Sequence, residues 1–88
     1  MKNSDASVEE QIYRLDITSD VCPMTFVRTR LMIEKMHTSD MAEIRLQGEE
    51  PKKNIPESVV ELGHTIISLT AEAGSALPTV YLLRIKKN

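Results

Sequence analysis

The chain has 88 residues, of which 41% are hydrophobic and 27% are charged, and its formal net charge at pH 7 is −2. This length and composition are typical of one globular domain with a modest core and no room for a separate cofactor domain. The weakly negative charge and the lack of a basic cluster argue against direct nucleic-acid binding, and no apolar run reaches the length of a membrane span.

The first residues of the chain are polar and aperiodic. We therefore expect residues 1–11 to form a flexible tail and residues 12–88 to form a single domain. The tail has no hydrophobic stretch of the kind that a secretory signal requires, so we expect the protein to be cytoplasmic.

A strand, a helix and a second strand are predicted for the first half of the domain. Apolar and polar residues alternate from Tyr13 to Ile17, which is typical of a strand with one buried face. Pro23 opens a helical stretch that runs to about His37, because proline is tolerated at the first helical position. The alternation returns over Ala42–Leu46 and predicts the second strand.

A loop and a second helix follow. The loop is predicted over Gln47–Lys53, and Asn54 is expected to cap the helix. Pro56 then lies in the first helical turn and Gly63 lies just past the helix end.

Two further strands complete the predicted order. The β-branched segment Thr65–Thr70 predicts the third strand, residues 71–78 predict a loop, and alternation over Thr79–Lys86 predicts the last strand. The order β-α-β-α-β-β indicates an α/β (α+β) two-layer sandwich. In it a four-stranded mixed sheet has both helices on one face, because two helices cannot cover both faces. The uncovered face should carry the charged residues Arg14, Glu43, Arg45, Arg84 and Lys86.

This topology predicts where chemistry can occur. Helical crossovers make the strands that they join parallel, and the last two strands should pair antiparallel. The loops that lead into the helices then share one edge of the sheet, where Cys22 lies. His37 and His64 fall at the opposite edge, which argues against a Cys–His catalytic pair.

Cys22 is the only cysteine, which excludes an intrachain disulfide. With only two histidines, a structural zinc site would lack ligands, and we expect no metal or organic cofactor. As the predicted N-cap of the first helix, Cys22 would receive the backbone N–H groups of Met24 and Thr25 and the partial positive charge of the helix end. Both effects lower a thiol pKa and favour the nucleophilic thiolate. The Thr25 hydroxyl is a further candidate donor, although it could equally turn to solvent.

Three basic residues are candidate docking or charge partners of this thiol: Arg28 on the first helix, and Lys52 and Lys53 on the neighbouring loop. Each also has a simpler interpretation as solvated surface charge. Cys22 also has a simpler interpretation as a core residue, because free cysteine is often buried as a small hydrophobic residue.

The residues around Cys22 resemble the signature of the TusA/SirA-like sulfur-carrier family. They are Leu15–Ile17, then Val21-Cys22-Pro23-Met24, then Val27–Arg30. The family motif is Cys-Pro-x-Pro at the start of the first helix. The resemblance covers roughly residues 12–87 and implies the same β-α-β-α-β-β sandwich.

The resemblance also implies a function. Cys22 would accept sulfur as a persulfide from a donor such as a cysteine desulfurase or a rhodanese-type protein. It would then relay the sulfur to an acceptor protein, in tRNA thiolation or in sulfur oxidation, as a sulfurtransferase or carrier rather than a multiple-turnover enzyme. Thr25 replaces the second proline of the motif, and the glycine that commonly precedes the cysteine is absent. The alternative is a thiol-based redox sensor or regulatory binding module without sulfur transfer.

Overall fold

The computed structural model describes residues 12–21, 23–74 and 79–88. The predicted order β-α-β-α-β-β is confirmed. The expected tail, Cys22 and residues 75–78 of the last loop lie outside the described residues. The elements are β1 (Ile12–Asp16), α1 (Met24–Lys35), β2 (Met41–Gln47), α2 (Glu49–Glu61), β3 (Thr65–Ala71) and β4 (Val80–Lys86).

The four strands form one mixed sheet in the order β1-β2-β4-β3. β1 and β2 are parallel, and β4 pairs antiparallel with both β2 and β3. The predicted mixed sheet and the antiparallel last pair are therefore confirmed. Because β4 lies between β2 and β3, those two strands run in the same direction without pairing with each other.

The core lies between one face of this sheet and both helices. Alternate residues of β2 and β4 point into it, so that Ile44 and Leu83 are fully buried. α1 contributes Met32 and Ile33. The corresponding residues of α2 are Ile55 and Val59. Neither helix described in the chain is long and apolar enough to cross a bilayer.

The other face of the sheet carries ion pairs, as the sequence predicted. Glu43 lies between two arginines, at 3.3 Å from Arg14 and 2.6 Å from Arg84. Arg45 binds Asp16 at 2.9 Å and Glu72 at 2.7 Å. Lys86, the fifth charged residue predicted here, is exposed.

These contacts shift the pKa values of the acids around Arg45. Hydrogen bonds from Thr18, and then from Arg45, hold the pKa of Asp16 below its ordinary value of 3.8. Hydrogen bonds from Arg45 lower the pKa of Glu72, and the same bonds raise the pKa of Arg45. All three groups therefore remain ionised at neutral pH.

The prediction for the start of α2 is wrong. The helix begins at Glu49 with Gly48 as its N-cap, so Asn54 lies inside the helix and does not cap it. Pro51 does not delay the start, because the first-turn N–H groups of a helix have no intrahelical partner for a proline to remove. Two acidic residues in the first turn favour this start through the helix dipole. Pro56 is accordingly inside the helix rather than in its first turn.

The end of α2 agrees with the prediction. Gly63 follows the C-cap and has a φ of +94°, a conformation that glycine adopts without strain. Its N–H donates to the Val60 carbonyl at 2.9 Å, and the His64 N–H donates to the Val59 carbonyl at 3.1 Å. This pair of bonds is a Schellman motif, which satisfies the last carbonyls of the helix.

Candidate functional site

Both helices begin at the same edge of the sheet. β1 and β2 are parallel, so the segments that follow their carboxyl ends lie side by side and lead into α1 and α2. His37 and His64 follow the two helix ends and fall at the opposite edge, as predicted. Val21 and Thr25, which flank position 22 in the sequence, line a common cavity with residues from the first turns of α2.

The first turn of α1 differs from the prediction by one residue. Its N-cap is Pro23, whose ψ of 4° lies outside the helical range near about −42°, so the helix begins at Met24. The Val21 carbonyl accepts the N–H of Met24 at 2.8 Å and the N–H of Thr25 at 3.3 Å. The assignment of Cys22 as N-cap is therefore wrong. The two backbone donors predicted to bind its sulfur are already bonded to Val21.

Thr25 is buried despite its polar side chain. It is 4% exposed, which excludes a hydroxyl that turns to solvent. Its backbone carbonyl accepts a hydrogen bond from the Thr29 hydroxyl at 2.8 Å. Within the described residues, the Thr25 hydroxyl itself makes no hydrogen bond.

A cavity of about 160 Å³ lies between the starts of the two helices. We call it the inter-helix cavity. Carboxylates border it, whereas no lysine or arginine is among the described residues that line it. The lining includes Asp20, Val21, Thr25 and Phe26 on the α1 side, and Gln47, Glu50, Pro51, Asn54 and Ile55 on the α2 side.

Arg28 lies beside this cavity with its charge already engaged. Its guanidinium binds the Asp20 carboxylate at 2.6 Å. Arg28 therefore neutralises the Asp20 carboxylate, which is one of the two acidic groups that line the inter-helix cavity. The sequence indicated both residues but could not show that they pair.

Lys52 and Lys53 are helical residues, and their prediction as loop residues is wrong because α2 begins at Glu49. Lys52 Nζ lies 3.7 Å from the Glu49 carboxylate and 4.7 Å from the centre of the Tyr81 ring. The Tyr81 hydroxyl donates to the same carboxylate at 2.6 Å. The hydrogen bond from Tyr81 is the main reason that the pKa of Glu49 lies below its ordinary value, and the contact with Lys52 lowers this pKa further. Lys53 is exposed, and neither lysine lines the inter-helix cavity.

An apolar stripe runs along the outer side of α1. Met24, Val27 and Leu31 are exposed and recur with helical spacing, and Val21, which precedes the helix, is 75% exposed. The sequence already indicated such a stripe, because the apolar residues of this helix are too widely distributed to share one face. Some of them face the core and others remain outside it. The stripe begins close in the chain to Cys22.

No group of three or more metal-ligating side chains occurs within the described residues. The side chains assembled at this edge are instead a buried hydroxyl, an Asp–Arg pair, amide groups and apolar walls. They can exclude water and donate hydrogen bonds to a small group placed among them.

Comparison with known proteins gives a consistent result. A family model described as "Sulfurtransferase TusA" matches residues 13–87. A protein of Archaeoglobus fulgidus named "Putative sulfur carrier protein" is 34% identical over 55 residues, and the match covers 62% of each chain. A Thermotoga maritima protein of the same name is 29% identical over 68 residues, which is 77% of this chain and 85% of the relative. The match thus spans less than two thirds of the archaeal relative.

Proposed function

Because this chain belongs to the sulfurtransferase TusA family, we propose that it carries sulfur as a persulfide on Cys22 and relays it to an acceptor protein. The observation that supports this most is the match of the family model across residues 13–87, in a chain whose only thiol is Cys22. The thiol lies just before Pro23, the N-cap of α1, where the partial positive charge of a helix end favours a thiolate.

The proposed loading step is thiol–persulfide exchange. The Cys22 thiolate attacks the terminal sulfur of a protonated persulfide on a donor protein. A new S–S bond forms on Cys22, the S–S bond of the donor breaks, and its electron pair leaves with the donor thiolate. The terminal sulfur keeps its proton, and no net oxidation or reduction occurs. Release to the acceptor is the same exchange with Cys22 as the leaving thiolate.

Residues close to Cys22 in the sequence support separate roles. Arg28 neutralises the carboxylate of Asp20, which precedes Cys22 by two residues, and so reduces the net negative charge of this segment. Met24 is 48% exposed beside Pro23 and is placed to contact a partner. Of the two lysines, Lys53 is the better candidate for docking, because Lys52 already packs on Tyr81.

We propose two protein partners in the cytoplasm. The donor is a cysteine desulfurase or a rhodanese-type protein, and the acceptor acts in tRNA thiolation or in sulfur oxidation. The exchange itself requires only the two thiols and the transferred sulfur, so it needs neither a metal nor direct contact with nucleic acid.

The test is the mass of the intact protein after incubation with a persulfide donor. We expect the wild-type chain to gain one sulfur atom that maps to Cys22 and that dithiothreitol removes. Cys22→Ser should gain none while keeping its far-UV circular dichroism spectrum. Loading of the serine variant, or no loading of the wild type by any persulfide donor, would overturn the proposal. Stable sulfenic acid or an intermolecular disulfide on the wild type would favour a redox sensor.

A further inference from the structure

We infer that this chain self-associates through β3, whose free edge pairs antiparallel with β3 of a second copy around a two-fold axis. The two four-stranded sheets then join into one continuous sheet. This interaction surface goes beyond the proposed function and does not depend on it. No residue of β3 is among the described residues that line the inter-helix cavity, so the second copy leaves that cavity accessible.

The first argument is the backbone of β3, which lies at the edge of the sheet. Among the described strands, β4 is its only neighbour. The backbone groups on the outer side of an edge strand are unpaired and can bind another strand. A bulge between Ile66 and Ser68 interrupts the pairing of β3 with β4, but Ser68–Ala71 keep a continuous register. This stretch therefore offers a regular edge for a second strand.

The second argument is that neither charge nor proline protects this edge. The seven residues of β3, TIISLTA, include no charged residue and no proline. In contrast, β1 at the other edge of the sheet carries Arg14 and Asp16. Charged residues and proline are common means of preventing edge-to-edge pairing, and uncharged segments of high β-propensity pair readily. An uncharged strand can also lie against its own copy without repulsion between like charges.

The third argument is that apolar side chains along this edge are incompletely covered. Ile66 and Leu69 pair with core residues of β4 and pack against the core, yet both are only partly buried. Ile67, the residue at the bulge, is 46% exposed. A strand added at this edge would cover more of these side chains, and burial of apolar surface favours association.

α2 extends the same apolar surface above the edge. Asn54 precedes the core residue Ile55 and lines the inter-helix cavity, so this flank of α2 faces α1. Each helical residue is turned by about 100° from the one before it. Val60, which follows the core residue Val59, therefore lies on the opposite flank, towards the free edge of β3. Val60 is 57% exposed.

The sidedness of β3 selects both the register and the occupant. Residues that lie opposite each other in an antiparallel pair project to the same face of the sheet. Leu69 is on the helix side, because it pairs with the buried Leu83, whereas Ser68 and Thr70 are on the other side. With Leu69 on the two-fold axis, leucine meets leucine, and Ser68 lies opposite Thr70 of the second copy. The strand is therefore complementary to itself.

The experiment measures self-association by sedimentation velocity over a series of protein concentrations. A reductant is present, so that Cys22 forms no intermolecular disulfide. The variants are Thr70→Lys and Thr70→Glu, because Thr70 is exposed and a charge there is compatible with the monomer. The matched controls are Thr38→Lys and Thr38→Glu, which make the same charge changes at an exposed residue in the turn after α1.

We expect the wild-type chain to form a dimer that dissociates on dilution, because an interface built on one strand edge is small. Each Thr70 variant should raise the dimer dissociation constant by about tenfold or more, since two like charges then lie diagonally across the strand pair. An equimolar mixture of the two Thr70 variants should recover association, because the charges are then opposite. Both Thr38 variants should behave like wild type.

Hydrogen exchange locates the interface. The amides of β3 should exchange more slowly as the wild-type concentration rises, whereas those of β1 should not change.

Four results would overturn the inference. A wild-type chain that stays monomeric at about 1 mM would exclude even weak pairing. A dimer that tolerates both Thr70 charges, or one that protects β1 instead of β3, would assign the contact to another surface. Loss of association in both variants without recovery in their mixture would show that position 70 does not face its own copy.

Discussion

Lys87 ties the segment after β4 to the end of α1. Its Nζ donates to the carbonyl of Ile33 at 2.9 Å and to that of Met36 at 2.7 Å. The last carbonyls of a helix have no intrahelical partner and carry partial negative charge. The Ile33 carbonyl also accepts the Met36 N–H at 3.0 Å. The partly buried lysine adds a charged donor to both carbonyls, so it acts as a tertiary cap for the helix that begins at the candidate site.

We expect Lys87→Met to lower the free energy of unfolding by about 1–2 kcal/mol, because two charge-assisted hydrogen bonds are lost while the aliphatic packing remains. Urea denaturation followed by circular dichroism measures this. Lys86→Met is the control, since the Lys86 side chain is exposed and makes no ion pair or hydrogen bond within the described residues. Equal stability of the two variants would show that Lys87 contributes nothing as a cap.

The site could be located from the sequence to within a few residues, but its hydrogen bonds could not. Cys22 and Pro23 identify the helix start, because proline favours that position. Whether Pro23 is the N-cap or the first helical residue depends on its ψ, which the surrounding structure sets. That one-residue difference decides whether Met24 and Thr25 offer free N–H groups. The pairing of Arg28 with Asp20 could not be predicted either, because the two residues lie on opposite sides of the turn that leads into the helix.

The start of α2 shows how one glycine fixes an element. Gly48 has φ +98° and ψ 166°, a region that is essentially restricted to glycine. The residues that follow, up to Lys53, were predicted as a loop, with Asn54 as the helix cap. In three dimensions the glycine turns the chain out of β2, and Pro51 falls in the first helical turn, where its missing N–H is not needed. The acidic pair Glu49–Glu50 was the available signal for this start.

Gly48→Ala should lower the free energy of unfolding by about 1–3 kcal/mol through backbone strain. Steric crowding contributes little, because an added Cβ would meet only Pro51 Cδ, at an ordinary contact distance of 3.9 Å. Thermal and urea unfolding measure the loss. D-Alanine at position 48, introduced by chemical synthesis, is the matched control and should retain wild-type stability, since its stereochemistry favours positive φ. Equal losses for the two enantiomers would mean that crowding rather than strain is responsible.

At the scale of the whole molecule, the face of the sheet opposite the helices makes stability depend on pH. The pKa values of Asp16 and Glu72 are lowered in the folded chain by hydrogen bonds that include those from Arg45. A carboxyl group whose pKa is lower in the folded chain than in the unfolded chain stabilises the fold. Its contribution is complete at pH values above the unfolded-chain pKa, and it is lost as the pH falls through the folded-chain pKa. The relevant range therefore lies below the ordinary values of 3.8 and 4.5.

We expect Arg45→Met to reduce the difference in unfolding free energy between about pH 6 and about pH 3, since Glu72 and, in part, Asp16 lose the partner that lowers their pKa. Urea titrations at a series of pH values measure this slope. Arg30→Met, which breaks only the exposed i,i+4 pair with Glu34, is the control and should keep the wild-type slope. An unchanged slope in the Arg45 variant would assign the acid sensitivity to other carboxyl groups.

The position of β4 between β2 and β3 has a consequence for synthesis on the ribosome. Among the described elements, three strands and both helices leave the exit tunnel before β4, the strand that joins β2 to β3. Until then β3 has no described strand to pair with. The strand Val80–Lys86 therefore enters the middle of the sheet, between β2 and β3. Its contacts with β2, which is far away in sequence, form last. We therefore expect the four-stranded sheet to be completed only once β4 has emerged.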